Sequence, residues 1–168
     1  MLIFQGSNFV WNNLFDKTMS QSLASIKIHL IFSTKFRMPW LDPCIRRECF
    51  NYLAVVAQNS GSKVYEIGGM SDHVHLLLTL PRTLTVSKLV EQLKTSTSKW
   101  IKSKRAFLKQ FAWQSGYSVF SVSESQTERV QRYIQDQEIH HQKSNFQDEI
   151  IRFLKASKVE FNQNYLLD

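Results

Sequence analysis

From Ser25 to Thr34 the chain alternates, with Ile26, Ile28, Leu30 and Phe32 on one side and Lys27 and His29 on the other. That two-residue period predicts a strand. Asp42-Pro43 then places a capping residue before a proline at the first helical position, predicting a helix to about Gln58 that stops at Asn59-Ser60-Gly61. Lys63 to Ile67 reads as a short strand, Gly68-Gly69 as a turn, and His73 to Leu80 as the next strand, ended by Pro81. Those two strands predict a hairpin. Thr85 to Lys104 carries Val86, Leu89, Val90, Leu93 and Trp100 inward at helical spacing, and Tyr117 to Val122 reads as a fourth strand. Ser125 with Glu128 fits a capping box opening a helix to Gln142, along one face of which Val130, Tyr133, Ile134, Gln137 and His141 recur. Ser144 to Leu154 predicts a short amphipathic helix using Phe146, Ile150, Phe153 and Leu154.

The order strand, helix, strand, strand, helix, strand predicts an α+β fold, a ferredoxin-like split βαβ antiparallel sheet. The two crossover helices cover one face, and the helix bearing Tyr133 is appended at the C-terminal end. The length, 168 residues, suits one domain with a proper core. We divide the chain into an N-terminal extension, 1–18, and a single domain, 19–168. The extension has neither a basic leading region nor a small-residue cleavage site. No apolar run approaches the roughly 20 residues that span a bilayer. Cys44 and Cys49 are five apart, a spacing that fits neither a zinc pair nor a disulfide framework. Both are expected reduced, in or near the core, and the protein cytoplasmic. An RNA-recognition module shares the topology, but no strand has its aromatic signature.

The formal charge is +7, which points to an anionic partner. Between Leu84 and Gln110 stand Lys88, Lys94, Lys99, Lys102, Lys104, Arg105 and Lys109 against the single acid Glu91. A solvated helix face would also look like this, but clustering on one element favours a nucleic-acid interface, with Lys88, Lys94, Lys99, Lys102, Lys104 and Arg105 as DNA-binding candidates.

Two pairs of residues carry chemistry. His73 and His75 flank Val74 and so project from one face of their strand. They are a ready pair of ligands for a divalent ion, or else two half-exposed histidines on an amphipathic strand. Tyr133 and Gln137 stand four apart, one helical turn from each other. The phenol can act as a nucleophile and the carboxamide oxygen can ligate a hard cation. The plainer reading is a core aromatic and a solvated glutamine.

Several blocks in order resemble one family: IHLIFSTKFRMPWL (Ile28 to Leu41), GGMSDHVHLLL (Gly68 to Leu78), WQSGYSVFSVSES (Trp113 to Ser125) and YIQDQEIHHQKSNFQDE (Tyr133 to Glu149). From about Ser20 to Asp168 the chain resembles the single-tyrosine HUH transposases of the insertion-sequence 200/605 group. The resemblance implies that His73, His75 and Gln137 hold Mg²⁺ or Mn²⁺, with Tyr133 as the nucleophile. It implies cutting and rejoining of single-stranded DNA at hairpin-bearing element ends through a 5′-phosphotyrosine. His140, His141 and Lys143 stand near Tyr133 in sequence and are candidates for its activation or support. A homodimer is expected too: the family's tyrosine helix can dock on a partner, and Ile150 and Phe153 beside an exposed edge strand need cover. Two other classes remain open, a catalytically silent DNA-hairpin binder and a metal-dependent phosphoesterase using water, for which Tyr133 would be dispensable.

Overall fold

The computed structural model describes residues 23–142 and 144–162; the 1–18 extension and Lys143 lie outside these. Four strands, β1 (Lys27–Ser33), β2 (Val64–Gly69), β3 (His73–Thr79) and β4 (Ser118–Val122), form one antiparallel sheet in the order β2-β3-β1-β4. Helix α1 (Pro43–Asn59) joins β1 to β2, and α2 (Val86–Lys104) joins β3 to β4. Beyond β4 come α3 (Thr127–Gln135), α4 (Gln137–His141) and α5 (Phe146–Ala156). This is the split βαβ plan expected from the pattern of elements.

Strand alternation divides the sheet into two chemically different faces. On one, Ile28, Leu30, Phe32, Val74, Leu76 and Leu78 pack against Ile45, Cys49, Leu53 and Ala57 of α1 and Leu89, Val90, Leu93 and Ile101 of α2. On the other lie His29, Ile31, His73 and His75, covered by α3 and α5. The capping residues act as their types predict: Asp42 accepts from the Cys44 and Ile45 amides, and Thr85 from the Lys88 amide. Cys49 is buried, but Cys44 is exposed, because the proline-led first turn of α1 faces solvent.

Three local expectations are corrected. Gly68 and Gly69 are not a turn; they end β2, and the reversal falls at 70–72. A Cβ on Gly68 would run into the Ile134 carbonyl oxygen and lie 2.8 Å from Ile134 Cγ2, so the missing side chain lets α3 sit on the sheet. Gly69 adopts φ 141°, a conformation that favours glycine. Next, Ser125 does not cap the following helix. A short 3₁₀ turn (Glu124–Gln126) comes first, and α3 starts at Thr127 with no side-chain cap. The turn is fastened by an ion pair between Glu124 and Lys27 of β1. Finally, the tyrosine helix is not continuous: Asp136 (φ −88°, ψ 16°) separates α3 from α4.

Candidate metal and tyrosine site

His73 and His75 are both fully buried, which removes the reading of half-exposed surface histidines. Each ring is fixed through its Nδ1. His73 Nδ1 lies 2.7 Å from Asp72 Oδ1, and Asp72 Oδ2 accepts from Arg37 Nε at 3.0 Å and Nη2 at 2.9 Å. His75 Nδ1 lies 3.0 Å from Nε2 of His29 on the neighbouring strand. Pinning one nitrogen in this way fixes which face of the ring offers its other lone pair. His75 Nε2 is buried with no hydrogen-bond partner, while His73 Nε2 stands 3.3 Å from Gln137 Oε1. Burial lowers the pKa of His29 to about 4 and that of His75 well below its usual value, so both rings are neutral.

Helices α3 and α4 bring Tyr133 and Gln137 to the same place despite the break between them. Gln137 is buried rather than solvated, and the Tyr133 ring centre is 6.3 Å from that of His75 and 6.4 Å from that of His29. What they converge on is Glu149 of α5, which the sequence reading did not single out. Glu149 is only 2% exposed. It accepts hydrogen bonds from the Tyr133 hydroxyl and from Gln137 Nε2 (3.0 Å), pairs with His141 Nε2 (3.1 Å), and lies 3.6 Å from His75 Nε2. Burial alone would raise its pKa, but the hydrogen bonds from His141, Tyr133 and Gln137 hold it well below the usual carboxylate range. The Tyr133 phenol is pushed up in turn, by burial first and then by its bond to Glu149. One signal could have revealed Glu149. It falls three residues after Phe146 and four before Phe153, an acid inside the apolar stripe of α5.

Ligand atoms of His73, His75 and Glu149 lie within 4.8 Å of one another, and the Gln137 carboxamide oxygen faces the same space. Two imidazole nitrogens, one of them without a partner, together with a carboxylate and an amide oxygen suit a divalent cation. His141 bonds to both Gln137 Oε1 (3.1 Å) and Glu149, whereas the exposed His140 only packs its ring 4.7 Å from that of Tyr133.

The basic residues of α2 are on the opposite face of the sheet from this site, and most are engaged within the chain. Lys88 pairs with Glu91, Lys104 with Glu48, and Arg105 with Asp42. Lys94 is structural: its Nζ donates to the carbonyls of Gln114 (2.8 Å) and Gly116 (2.7 Å), and burial lowers its pKa to about 8. Lys99 and Lys102 are exposed and line a groove of about 330 Å³ between α2 and 111–114. Among the described residues, no helix is long and apolar enough to cross a membrane.

A sheet of this order and helix placement is the fold of solved transposases. A crystal structure of a candidate transposase from Deinococcus radiodurans R1 superposes with a TM-score of 0.57 and 28% identity, covering 69% of this chain and 93% of that one. A REP-associated tyrosine transposase solved bound to a REP hairpin superposes at 0.55 with 15% identity, covering 73% and 74%. The transposase of insertion sequence element IS200 from Salmonella typhimurium is 26% identical over 127 residues, 73% of this chain and 83% of that protein. The family described as "Transposase IS200 like" matches residues 22–137, and the chain belongs to it. Membership makes it a DNA-cleaving and strand-transferring enzyme. The matched segment holds His73, His75, Tyr133 and Gln137 and stops short of Glu149.

The buried neutral imidazoles give metal-free protein an acid-labile stability. Below pH about 6.5 the unfolded chain takes up a proton at His29 that the folded chain refuses until about pH 4. Stability present above that window is therefore lost as pH falls through it, by an amount of order 3 kcal/mol for His29. Urea midpoints measured in chelator should decline between these pH values, and the decline should flatten in His29→Gln.

Proposed function

We propose that this chain cuts and rejoins single-stranded DNA at hairpin-bearing element ends, with Tyr133 as nucleophile and His73, His75 and Gln137 as ligands of Mg²⁺ or Mn²⁺. The observation that carries the reading is the gathering of Tyr133, Gln137 and His75 around one buried carboxylate, Glu149, with His73 set against Gln137 in the same cluster. Bound there, a divalent cation would supply positive charge against the phosphate oxygens and the departing 3′-oxygen. The chain's own part is positional. Asp72 and His29 hold the two imidazoles with their Nε2 atoms toward the site. Glu149 takes the amide nitrogen of Gln137, which turns the carboxamide oxygen toward His73. The same carboxylate holds the Tyr133 hydroxyl in place beside the ligand set. In the reaction the phenolic oxygen bonds to phosphorus and the phosphorus–O3′ bond breaks. The 3′-oxygen leaves with a proton, and the phosphotyrosine keeps the free energy of the broken ester for rejoining.

The homodimer is proposed through β4. This edge strand pairs only with β1 among the described residues, which leaves its outer backbone groups open to a second copy. The other motive for a dimer is withdrawn: Ile150 is buried with Ile31 and Phe146 of its own chain, and Phe153 stacks on Phe120. Sedimentation with DNA present should find a dimer at micromolar concentration, and a monomer there would remove this part of the proposal.

Removing one oxygen tests the nucleophile. Incubated with a single-stranded hairpin substrate and Mn²⁺, the protein should yield a detergent-stable adduct that peptide mapping places on Tyr133. Tyr133→Phe should give neither adduct nor cleavage. Cleavage that persists in the variant would instead favour a hydrolase using water.

Glu149→Gln tests the hub independently of turnover. The variant keeps the volume and a hydrogen-bonding group but removes the carboxylate charge at the centre of the ligand set, so Mn²⁺ affinity by calorimetry should fall about 10- to 100-fold. Unchanged affinity would show that Glu149 serves only to hold Tyr133 and Gln137.

A further inference from the structure

The turn that follows β1 is strained, exposed, and tied to the site on one side and to the basic groove on the other. Phe36 adopts φ 56°, ψ 20° and Arg37 φ 54°, two successive non-glycine residues in left-handed conformation. Such strain persists only where the surroundings enforce it, and it gathers at functional positions. Here the enforcement is visible. Thr34 Oγ1 donates to the Met38 carbonyl at 2.7 Å, the Arg37 amide donates to the Thr34 carbonyl at 3.0 Å, and the Arg37 guanidinium grips Asp72. The outcome is a phenyl ring left 73% exposed, with Lys35 Nζ 5.1 Å from its centre. A glycine would relieve the backbone, and a polar residue would suit the solvent better; the chain has neither.

Its position is equally specific. The Thr34 amide donates to the Asp72 carbonyl at 2.8 Å, and Asp72 holds His73. Arg37 lies over the Phe146 ring at 5.5 Å, and Phe146 stacks on His73 at 4.3 Å. On its other side, the Lys35 amide donates to the Ala112 carbonyl at 2.8 Å, and Ala112 belongs to the wall of the groove that Lys99 and Lys102 line. The turn thus stands at the end of the sheet between the basic groove on one face and the histidines on the other.

We propose that Phe36 is a stacking platform for an unpaired nucleotide of single-stranded DNA on its way between these two faces, with Lys35 as its cationic neighbour. The proposal rests on the reading that the substrate is single-stranded DNA. An aromatic face flanked by cations is what a strand with flat bases and anionic phosphates fits, and every base offers a π-face whatever its sequence. An apolar peptide would gain nothing from the flanking charge.

The test measures binding by the full chain in chelator, so that nothing is cut. The probes are an oligothymidine strand of about twelve nucleotides carrying one 2-aminopurine, within the span that single-strand sites cover, and a blunt DNA hairpin without unpaired ends. Phe36→Ala should weaken the single strand about tenfold, in the range that one stacked base contributes, and lose the quenching of 2-aminopurine. The same variant should bind the blunt hairpin as the wild type does, and Phe36→Trp should restore both single-strand readouts. Phe36→Gly should weaken binding like alanine while raising the thermal midpoint, since it removes the ring and the strain together. Should Phe36→Ala hold the single strand as tightly as wild type, or Phe36→Trp fail to rescue, the assignment of Phe36 is overturned and the proposed function stands. Should wild type itself fail to bind the single strand, the substrate reading fails and takes this inference with it.

Discussion

A carboxylate buried in an apolar stripe is tolerable only when every lone pair is answered, and meeting that condition for Glu149 organises the whole second face of the sheet. Its partners are Tyr133 from α3 and Gln137 and His141 from α4, with His75 on β3 close by. Satisfying the charge therefore fixes α5 against α3 and α4 and sets all three above the histidine strand. The break at Asp136 belongs to the same constraint. It reorients α4 relative to α3, and the phenol and the carboxamide nitrogen reach the same carboxylate oxygen, Oε1.

The sheet separates stability from chemistry. One face is closed by α1 and α2 with aliphatic contacts, including Leu30, Leu76, Leu53 and Leu93, all fully buried. The other gathers titratable side chains into one cluster, among them His29, His73, His75, Tyr133, His141 and Glu149. Such a cluster would be costly alone, and the packed face offsets it. The basic helix lies with the packed face, so any DNA along α2 and DNA at the tyrosine would have to be joined around an end of the sheet. The turn after β1 occupies one such end, hydrogen-bonded toward both sides.

Elements with a strong period were legible in the sequence, and those shaped by tertiary contact were not. Alternation placed Ile28, Leu30 and Phe32 against the helices and His29 away from them, as the structure has it. The cap and proline at Asp42-Pro43 fixed the start of α1 to the residue. Gly68-Gly69 was misread because glycine serves both for reversing a chain and for letting a neighbour approach, and only Ile134 of α3 tells the two apart. The capping box at Ser125 lost to the ion pair of Glu124 with Lys27, a contact 97 residues distant in sequence. Local pattern likewise marked α2 as basic but could not show that Lys94 spends its charge on the carbonyls of Gln114 and Gly116. For the site, His73, His75, Tyr133 and Gln137 were named from spacing and resemblance, while Glu149 escaped because its partners lie 8 to 16 residues away or on another strand.

The charge at the site also says what must arrive from outside. His29 and His75 are neutral, Gln137 carries no charge, and Glu149 is ionised. A phosphodiester brought to Tyr133 would meet a carboxylate across a few ångströms of buried space, where repulsion is poorly screened. The phenol is worse placed still, since burial and the same carboxylate push its pKa up rather than down. Left to itself, then, the cluster holds the nucleophile without activating it and repels the group it is to attack. Both difficulties are met by one change, positive charge placed among the His73, His75, Gln137 and Glu149 donors. It would draw Glu149 away from the phenol, neutralise the approach of the phosphate and favour the phenolate, and that is the part the proposed reaction gives to a divalent cation.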